Sequence, residues 1–243
     1  RAGIDFKDKK VVILGTGGTM LTARYCAKSA GAREIVVVSR SGEDNYENIA
    51  RHRDADILVN TTPVGMFPDN GRAALSLDVF DHLCGVIDVI YNPMRTALVQ
   101  DAMRRGIPAT GGLFMLVGQA IVASEHFLNV KYDADTINRV FRAVESDVEN
   151  IVLIGMPGCG KSSVGRELAA ISGREFIDLD DEIAKAAKMP VPDIINRCGE
   201  AHFRALEAEA AAQAGKKSGV VIACGGGPPL FEENRRALSQ NGR

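Results

Sequence analysis

The chain has 243 residues with 29 Lys and Arg against 31 Asp and Glu, and 46% of its residues are hydrophobic. That composition predicts a folded globular protein of one large domain or two modest ones and excludes a disordered chain. The nearly balanced charge argues against a nucleic-acid partner, and no apolar run approaches the ~20 residues that span a bilayer, so no membrane partner is expected.

Short β-branched runs alternate with helical patterns along the first part of the chain. Strands are predicted at 11–14, 34–39, 56–60, 86–90 and 107–109, and helices at 19–30, 94–105, 113–127 and 134–144. Strands that are apolar throughout and separated by helices are typical of a parallel sheet covered on both faces.

A second series of elements follows the polar segment 145–150, which marks the predicted domain boundary. It has strands at 151–154, 175–177 and 219–223, and a helix that begins at Lys161. The sequence therefore predicts an α/β protein with domains at 1–146 and 149–243.

Five cysteines are scattered along the chain, an odd number with no CxxC pair among them. They predict reduced thiols, and therefore a cytoplasmic protein without a disulfide framework or a zinc site. The chain begins at Arg1 rather than at a methionine and stops just past a helical pattern, which predicts a piece of a longer polypeptide. The sequence makes no prediction about the oligomeric state.

A glycine-rich loop follows the first predicted strand and opens the first predicted helix. Glycines at such a junction let backbone N–H groups approach a pyrophosphate at the positive end of the helix, which favours a dinucleotide. Met20 replaces the last glycine of the usual GxGxxG pattern, and a tight turn without a ligand is the alternative. The candidate cofactor-binding residues are Gly15, Thr16, Gly17, Gly18 and Thr19.

The end of the second predicted strand bears on the choice between NAD and NADP. NAD enzymes carry an acidic residue there that binds the adenosine ribose. This sequence instead has Ser39 and Arg40 with no acid between 39 and 41, and the Arg40 guanidinium suits the 2′-phosphate of NADP. An exposed surface arginine without a ligand is the alternative.

Three further segments, at 60–66, 88–93 and 112–120, make the first part of the chain resemble the shikimate dehydrogenase family. Their sequences, in the order of the family, are NTTPVGM, DVIYNP and GLFMLVGQA. The resemblance implies an NADP-binding Rossmann-type doubly wound sheet, with Thr61 and Thr62 beside the nicotinamide ribose and Met115 near the nicotinamide. Tyr91 and Gln119 would then contact the hydroxylated substrate. Turn formation by the prolines and core packing of Met115 are the structural alternatives.

The second glycine loop, GMPGCGKS at 155–162, follows a predicted strand and precedes a helix. In a GxxxxGKS loop the backbone amides wrap the phosphates of a nucleotide, the lysine neutralises the β- and γ-phosphates, and the serine hydroxyl ligates Mg²⁺. The sequence therefore predicts a P-loop that binds ATP with Mg²⁺. Its candidate residues are Gly158, Cys159, Gly160, Lys161, Ser162 and Ser163.

Two carboxylates and a guanidinium farther along suit a hydroxylated acid as phosphoryl acceptor. Asp178 and Asp180 lie two residues apart at a strand end, so one can bind Mg²⁺ while the other takes a hydroxyl proton. Capping of the next helix by Asp180 is the alternative. Arg204 precedes Glu207 by three residues, a spacing that fixes a guanidinium for a substrate carboxylate or forms an ordinary ion pair. A later strand ends in three glycines that suit close approach of a ring or form a simple turn. They are Gly225, Gly226 and Gly227.

Together, the segments GMPGCGKSS, DLDD, GEAHFRALE and CGGG resemble the shikimate kinase family and follow its order. The resemblance implies part of a P-loop kinase domain in which Lys161 and Asp180 are catalytic, with Asp180 contacting the shikimate hydroxyls as the base. Asp178 would lie near Mg²⁺, and Arg204 would hold the shikimate carboxylate. The backbone of 225–227 would line the pocket.

The two resemblances predict a shikimate-pathway protein that reduces 3-dehydroshikimate with NADPH and phosphorylates shikimate with ATP. The Lys–Asp pair that moves the hydroxyl proton in the dehydrogenase family has no counterpart in this sequence, and a kinase of this type needs more strands than the three predicted. We therefore expect this chain to bind NADP without oxidising shikimate, and to retain at most weak nucleotide binding in its second domain.

Two other functions stay open at this level. One is a quinate-type dehydrogenase joined to another small-molecule kinase, against which the absence of an acid at 39–41 argues. The other is a non-catalytic nucleotide-binding module.

Overall fold

The computed structural model describes residues 2–227 and 230–243 of the chain. These residues form two compact units, one within Arg1–Phe141 and the other within Arg142–Arg243. Each unit contains a parallel sheet with helices, so the predicted α/β class is confirmed. Among the described residues, no helix is both long enough and apolar enough to cross a membrane.

The first unit contains a five-stranded parallel sheet with the order β2-β1-β3-β4-β5. The chain therefore moves outward from β1 to β2 and then resumes on the other side of β1, which opens a crevice at the carboxyl ends of β1 and β3. Ligands bind in that position in doubly wound sheets. The strands are β1 (Lys10–Leu14), β2 (Glu34–Val38), β3 (Ile57–Asn60), β4 (Gly85–Asp88) and β5 (Ala109–Thr110).

Strand β1 explains why the first predicted strand is apolar throughout. Val12 and Leu14 belong to one buried cluster, while Val11 and Ile13 belong to another. Since successive side chains of a strand point to opposite faces, both faces of the sheet are covered. The helices of this unit are α1 (Gly18–Ser29), α2 (Ala97–Arg104) and α3 (Leu113–Leu128), and α4 (Ala134–Val148) continues into the second unit.

The second unit contains a three-stranded parallel sheet with the order β6-β8-β7. All three strands are parallel, so their carboxyl ends meet at one edge of the sheet. The strands are β6 (Ile151–Leu153), β7 (Phe176–Asp178) and β8 (Val221–Ala223). The helices that follow α4 are α5 (Lys161–Ser172), α6 (Leu179–Ala187), α7 (Val191–Cys198), α8 (Glu200–Lys216) and α9 (Glu232–Ser239).

Several element boundaries differ from the prediction, and three of these differences have a local explanation. Helix α4 runs to Val148, so most of the polar segment 145–150 is helical, because polar residues are compatible with the exposed side of a helix. Helix α2 begins at Ala97 rather than at 94, since the Thr96 hydroxyl caps it by accepting from the Val99 N–H at 3.4 Å. Strand β8 begins at Val221 because Gly219 has a φ of +69°, outside the strand region.

Candidate functional sites

The first glycine loop connects β1 to α1 at the crevice of the first sheet. Gly17 is the N-cap residue of α1, and no described side chain caps that helix end. A Cβ atom added at Gly17 or Gly18 would meet nothing within 4 Å, so the space before the helix is open. The amides and the positive dipole end of α1 therefore form a cradle that fits a pyrophosphate.

The two threonines after β3 pack against this glycine loop. The Thr61 N–H and hydroxyl both donate to the Leu14 carbonyl oxygen, at 2.9 and 2.6 Å. A Cβ atom at Gly15 would lie 3.0 Å from both the Thr61 Oγ1 and the Thr62 Cγ2. The structure thus brings the predicted residues Thr61 and Thr62 to the cradle, where β1 and β3 end side by side.

Ser39 and Arg40 follow β2 on the other side of β1. The Ser39 N–H donates to the Asp44 carbonyl oxygen at 3.1 Å, which fixes the start of the loop after the strand. Ser39 is half-buried and Arg40 is exposed. Arg40 therefore lies at the strand end where the adenosine ribose of a dinucleotide is bound in this type of sheet.

The start of α3 packs closely against the chain after β4. The Gly112 N–H donates to the Ile90 carbonyl oxygen at 2.8 Å, and a Cβ atom at Gly112 would lie only 2.0 Å from the Val89 carbonyl oxygen, so a side chain does not fit there. Tyr91, the next residue after Ile90, is 48% exposed. Met115 is half-buried and Gln119 is exposed, one helical turn apart on α3.

The P-loop of the second unit connects β6 to α5. Its lysine folds back onto the loop, where the Lys161 Nζ donates to the carbonyl oxygens of Gly155 at 3.0 Å and Met156 at 2.8 Å. Gly160 is the N-cap of α5 without a side-chain cap among the described residues, and Cβ atoms at Gly158 and Gly160 would meet nothing within 4 Å. The loop therefore leaves room for a phosphate before the helix N terminus.

Ser162 and Asp178 meet at the carboxyl edge of the second sheet. The Ser162 hydroxyl donates to Asp178 Oδ2 at 2.5 Å, and Asp178 Oδ1 accepts from the Asp180 N–H at 3.1 Å. Asp178 is thus the N-cap of α6, and the alternative in which Asp180 caps this helix is wrong. Hydroxyl and carboxylate oxygens are ligands that Mg²⁺ prefers, so this pair fits a magnesium ion.

Asp180 lies in the first turn of α6, close to the glycines after β8. A Cβ atom at Gly225 would lie 2.8 Å from Asp180 Oδ1. Burial raises the pKa of the Asp180 carboxyl, and the neighbouring Asp178 raises it further, while Lys161 acts in the opposite direction. A higher pKa makes this carboxylate a better proton acceptor.

Arg204 is held on α8 by two glutamates. Its Nη1 donates to both carboxylate oxygens of Glu207, at 3.1 and 3.0 Å, and its Nη2 donates to Glu200 Oε1 at 3.0 Å. Glu207 is 1% exposed, and burial raises the pKa of its carboxyl while Arg204 opposes the shift. The predicted pairing of Arg204 with Glu207 is observed. Glu200 was not predicted as a partner, although its i,i+4 spacing to Arg204 is a usable signal.

Eleven of the twelve site residues predicted for the second unit line one cavity of about 650 Å³. It is of the size that holds a small-molecule ligand. The cavity wall also includes Cys224, which was not predicted; burial raises the pKa of its thiol to about 12, so the thiol stays protonated at neutral pH. Cys159 is exposed and is absent from the described wall. The predicted residues in the wall are Gly158, Gly160, Lys161, Ser162, Ser163, Asp178, Asp180, Arg204, Gly225, Gly226 and Gly227.

These arrangements define a doubly wound unit of the dinucleotide-binding class and a P-loop unit of the nucleotide-binding class. Residues 157–243 match the family model described as shikimate kinase. The two resemblances drawn from the sequence motifs are therefore confirmed in the second unit by the family model, and in the first by the relatives described next.

The relatives divide along the chain in the same way. A shikimate dehydrogenase (NADP(+)) from Clostridium perfringens is 29% identical over 158 residues, which are 60% of this chain and 58% of that protein. A shikimate kinase from Bordetella avium is 47% identical over 92 residues, which are 38% of this chain and 44% of that protein. The chain thus spans about half the length of each of these relatives. The combination is consistent with a fused dehydrogenase and kinase.

A solved structure supports the fold of the first part of the chain. Shikimate dehydrogenase 1 from Peptoclostridium difficile is 33% identical, has a TM-score of 0.55, and aligns with 59% of this chain and 56% of its own. The Rossmann-like fold implied by the resemblance of the sequence motifs is confirmed by this similarity.

Proposed function

We propose that the protein acts at two consecutive steps of the shikimate pathway. The first is the NADPH-dependent reduction of 3-dehydroshikimate to shikimate, and the second is the ATP-dependent phosphorylation of shikimate to shikimate 3-phosphate. The observation that carries the proposal is the cavity of the second unit, where a P-loop, a carboxylate of raised pKa and a paired guanidinium line one space. The reduced cysteines favour a cytoplasmic location.

In the kinase step, polar groups of the cavity wall are assigned to the phosphates, to the hydroxyl proton and to the metal ion. The Lys161 ammonium leaves its loop carbonyls and neutralises the phosphates of ATP. Asp180 accepts the proton of the shikimate 3-hydroxyl. As it does so, the hydroxyl oxygen bonds to the γ-phosphorus of ATP, and the bond from that phosphorus to the ADP oxygen breaks. Ser162 and Asp178 would hold Mg²⁺, which offsets the negative charge of the phosphates.

The guanidinium of Arg204 lines the cavity, and we assign it to the substrate carboxylate. Glu207 is buried and binds Nη1 through both of its oxygens, so it fixes the orientation of the guanidinium. Glu200 is exposed and binds Nη2 through a single oxygen, so a substrate carboxylate can replace it at little cost.

In the reduction step, the role proposed for the first unit is to bind and orient NADP. The cradle at the start of α1 binds the pyrophosphate, Ser39 and Arg40 bind the 2′-phosphate, and the segment Thr61–Thr62 lies beside the nicotinamide ribose. When bound, the cofactor supplies the hydride. Met115 would lie near the nicotinamide, with Tyr91 and Gln119 toward the substrate.

The proposal is tested by titrating the purified chain with NADP⁺, ATP and shikimate in an isothermal calorimeter. We expect NADP⁺ to bind the first unit, and ATP to bind the second unit weakly. Shikimate is expected to bind the second unit more tightly than quinate in the presence of Mg²⁺ and a non-hydrolysable ATP analogue. Failure of the chain to bind NADP⁺ would refute the function of the first unit, and quinate binding as tightly as shikimate would refute the substrate of the second.

Replacement of Arg40 by alanine is expected to weaken NADP⁺ binding about 10- to 100-fold, because a charge-assisted contact to the 2′-phosphate is lost. Binding of NAD⁺, which lacks that phosphate, is expected to stay within about twofold. Fluorescence titration with NADPH and NADH measures both. The control substitution is R51A, because Arg51 is an exposed arginine in the 3₁₀ turn Ile49–His52. Equal weakening of the two cofactors by R40A would contradict the assignment.

Replacement of Gly227 by alanine is expected to weaken shikimate binding about 10- to 100-fold. A Cβ atom there would lie 2.2 Å from Arg204 Nη1 and 2.8 Å from Glu207 Oε1, so the guanidinium must move from its position. Calorimetry with shikimate measures the loss. The affinity for ATP, measured on the same preparation, is the control and is expected to be unchanged; unaltered shikimate binding would show that the guanidinium does not hold the substrate.

A further inference from the structure

Asp88, the last residue of β4, carries a buried carboxylate that is not among the residues assigned to the cofactor. It is 0% exposed and accepts three hydrogen bonds. Oδ1 accepts from the Asn60 side-chain amide at 3.0 Å and from the Ile90 N–H at 3.1 Å, and Oδ2 accepts from the Thr96 hydroxyl at 2.7 Å. All three of these donors are neutral, so the carboxylate is held by oriented dipoles.

The three donors come from two connections at the carboxyl edge of the sheet, one after β3 and the other between β4 and α2. Asn60 ends β3, Ile90 follows β4, and Thr96 caps α2. Asn60 and Thr96 are each 1% exposed, so these bonds are shielded from water. A buried hydrogen-bonded group that joins two connections fixes their positions relative to one another.

Asn60 extends this network to the cofactor site. Its side-chain oxygen accepts from the Thr62 N–H at 3.1 Å and from the Thr62 hydroxyl at 2.7 Å. Because its amide nitrogen already donates to Asp88, the orientation of the Asn60 side chain is fixed by the carboxylate. The position of Thr62 thus depends on Asp88 through a single intervening residue.

The topology shows which part of a dinucleotide this segment faces. A pyrophosphate sits at the end of β1, and the adenosine ribose lies over the end of the neighbouring strand that comes next along the chain, which is β2. Strand β3 flanks β1 on the opposite side. The segment after β3 therefore faces the nicotinamide half of the cofactor, while the end of β2 faces the adenosine half.

We propose that Asp88 is a positioning residue for the nicotinamide half of NADP, acting through Asn60 on Thr62. This inference rests on the proposed cofactor function of the first unit. Burial raises the pKa of the Asp88 carboxyl, while the hydrogen bonds from Thr96, Ile90 and Asn60 act in the opposite direction. A carboxylate buried in this way is costly for the fold by itself, which favours a role in positioning.

The test compares two ligands that differ in the nicotinamide half. Asp88→Ala is expected to weaken binding of NADP⁺ about tenfold while leaving binding of adenosine 2′,5′-bisphosphate within about twofold. Asp88→Asn keeps an oxygen for Asn60 and Ile90, so it is expected to restore most of the NADP⁺ affinity. Calorimetric titration of the full chain with each ligand gives the dissociation constants.

Asn60→Ala serves as a second variant in case Asp88→Ala does not fold. It leaves Asp88 with two of its donors and disconnects Thr62, so the same selective loss of NADP⁺ binding is expected. Equal weakening of both ligands, or of neither, in the folded variants would overturn the inference. A wild-type chain that binds neither NADP⁺ nor adenosine 2′,5′-bisphosphate refutes the cofactor function, whereas unselective variants of a wild-type chain that binds both ligands overturn this inference alone.

Discussion

Replacement of Lys161 by alanine is expected to weaken ATP binding by about 100-fold or more, the largest functional effect of any substitution in the second unit. In the structure, the ammonium group donates to two carbonyl oxygens of its own loop. Those contacts hold the positive charge at the centre of the P-loop, where phosphates of a nucleotide take their place. An alanine supplies neither the charge nor the donors, so the phosphates would face the amides of α5 alone.

Calorimetric titration with ATP and Mg²⁺ measures this loss. Lys216→Ala is the matched control, since Lys216 is in the last turn of α8 and does not line the cavity. Shikimate binding to K161A is expected to change little, because Arg204 keeps its hydrogen bonds to Glu207 and Glu200. Retention of ATP affinity within about threefold would show that the loop does not bind nucleotide in the way proposed here.

Much of both folds could be predicted because the strands are apolar on both faces. The run 11–14 is fully buried in the structure, as a strand covered by helices on each side requires. The candidate sites could be predicted for a related reason: parallel strands end at a common edge, so polar residues directly after strands come together there. Asp178 is the last residue of β7, Thr61 directly follows β3, and Lys161 begins the helix after β6.

The contacts that join these residues could not be predicted as easily. The network from Thr96 through Asp88 to Asn60 depends on the pairing of β3 with β4, in which Asn60 stands opposite Asp88. Periodicity in a single sequence does not show which strands are neighbours, so the pairing of Asn60 with Asp88 could not be predicted from it. The same limit applies to Gly227, whose contact with Arg204 requires the end of β8 to meet α8.

Local capping explains two of the differences from the prediction, the start of α2 and the capping residue of α6. A threonine or an aspartate before a helix can cap it or point elsewhere, and the choice depends on neighbouring groups. Thr96 both caps α2 and donates to Asp88, while Asp178 both caps α6 and accepts from Ser162. In the second unit, therefore, the helix cap Asp178 also belongs to the candidate site, and in the first unit the helix cap Thr96 belongs to the hydrogen-bond network that reaches Thr62.

Replacement of Arg204 by methionine is expected to destabilise the second unit by about 3 kcal/mol at pH 8, because it leaves the Glu207 carboxylate buried without its partner. The guanidinium is one-third exposed, which keeps the effect at the lower end of the range for buried pairs. Burial already raises the folded-state pKa of Glu207, and loss of Arg204 raises it further. Between the unfolded and the folded pKa, the folded state binds more protons, so the stability of the variant falls as pH rises.

Urea unfolding of R204M and of the wild-type chain between pH 5 and pH 8 measures this dependence. The transition of the second unit is recognised as the one that ATP shifts to higher urea concentrations. The deficit of the variant is expected to be smallest at pH 5, where Glu207 is protonated most. The double variant R204M/E207L removes both charges and is expected to recover most of the stability, since apolar groups replace the pair, while shikimate binding stays lost. A deficit independent of pH, or a double variant less stable than R204M, would show that the buried carboxylate of Glu207 is not the source of the effect.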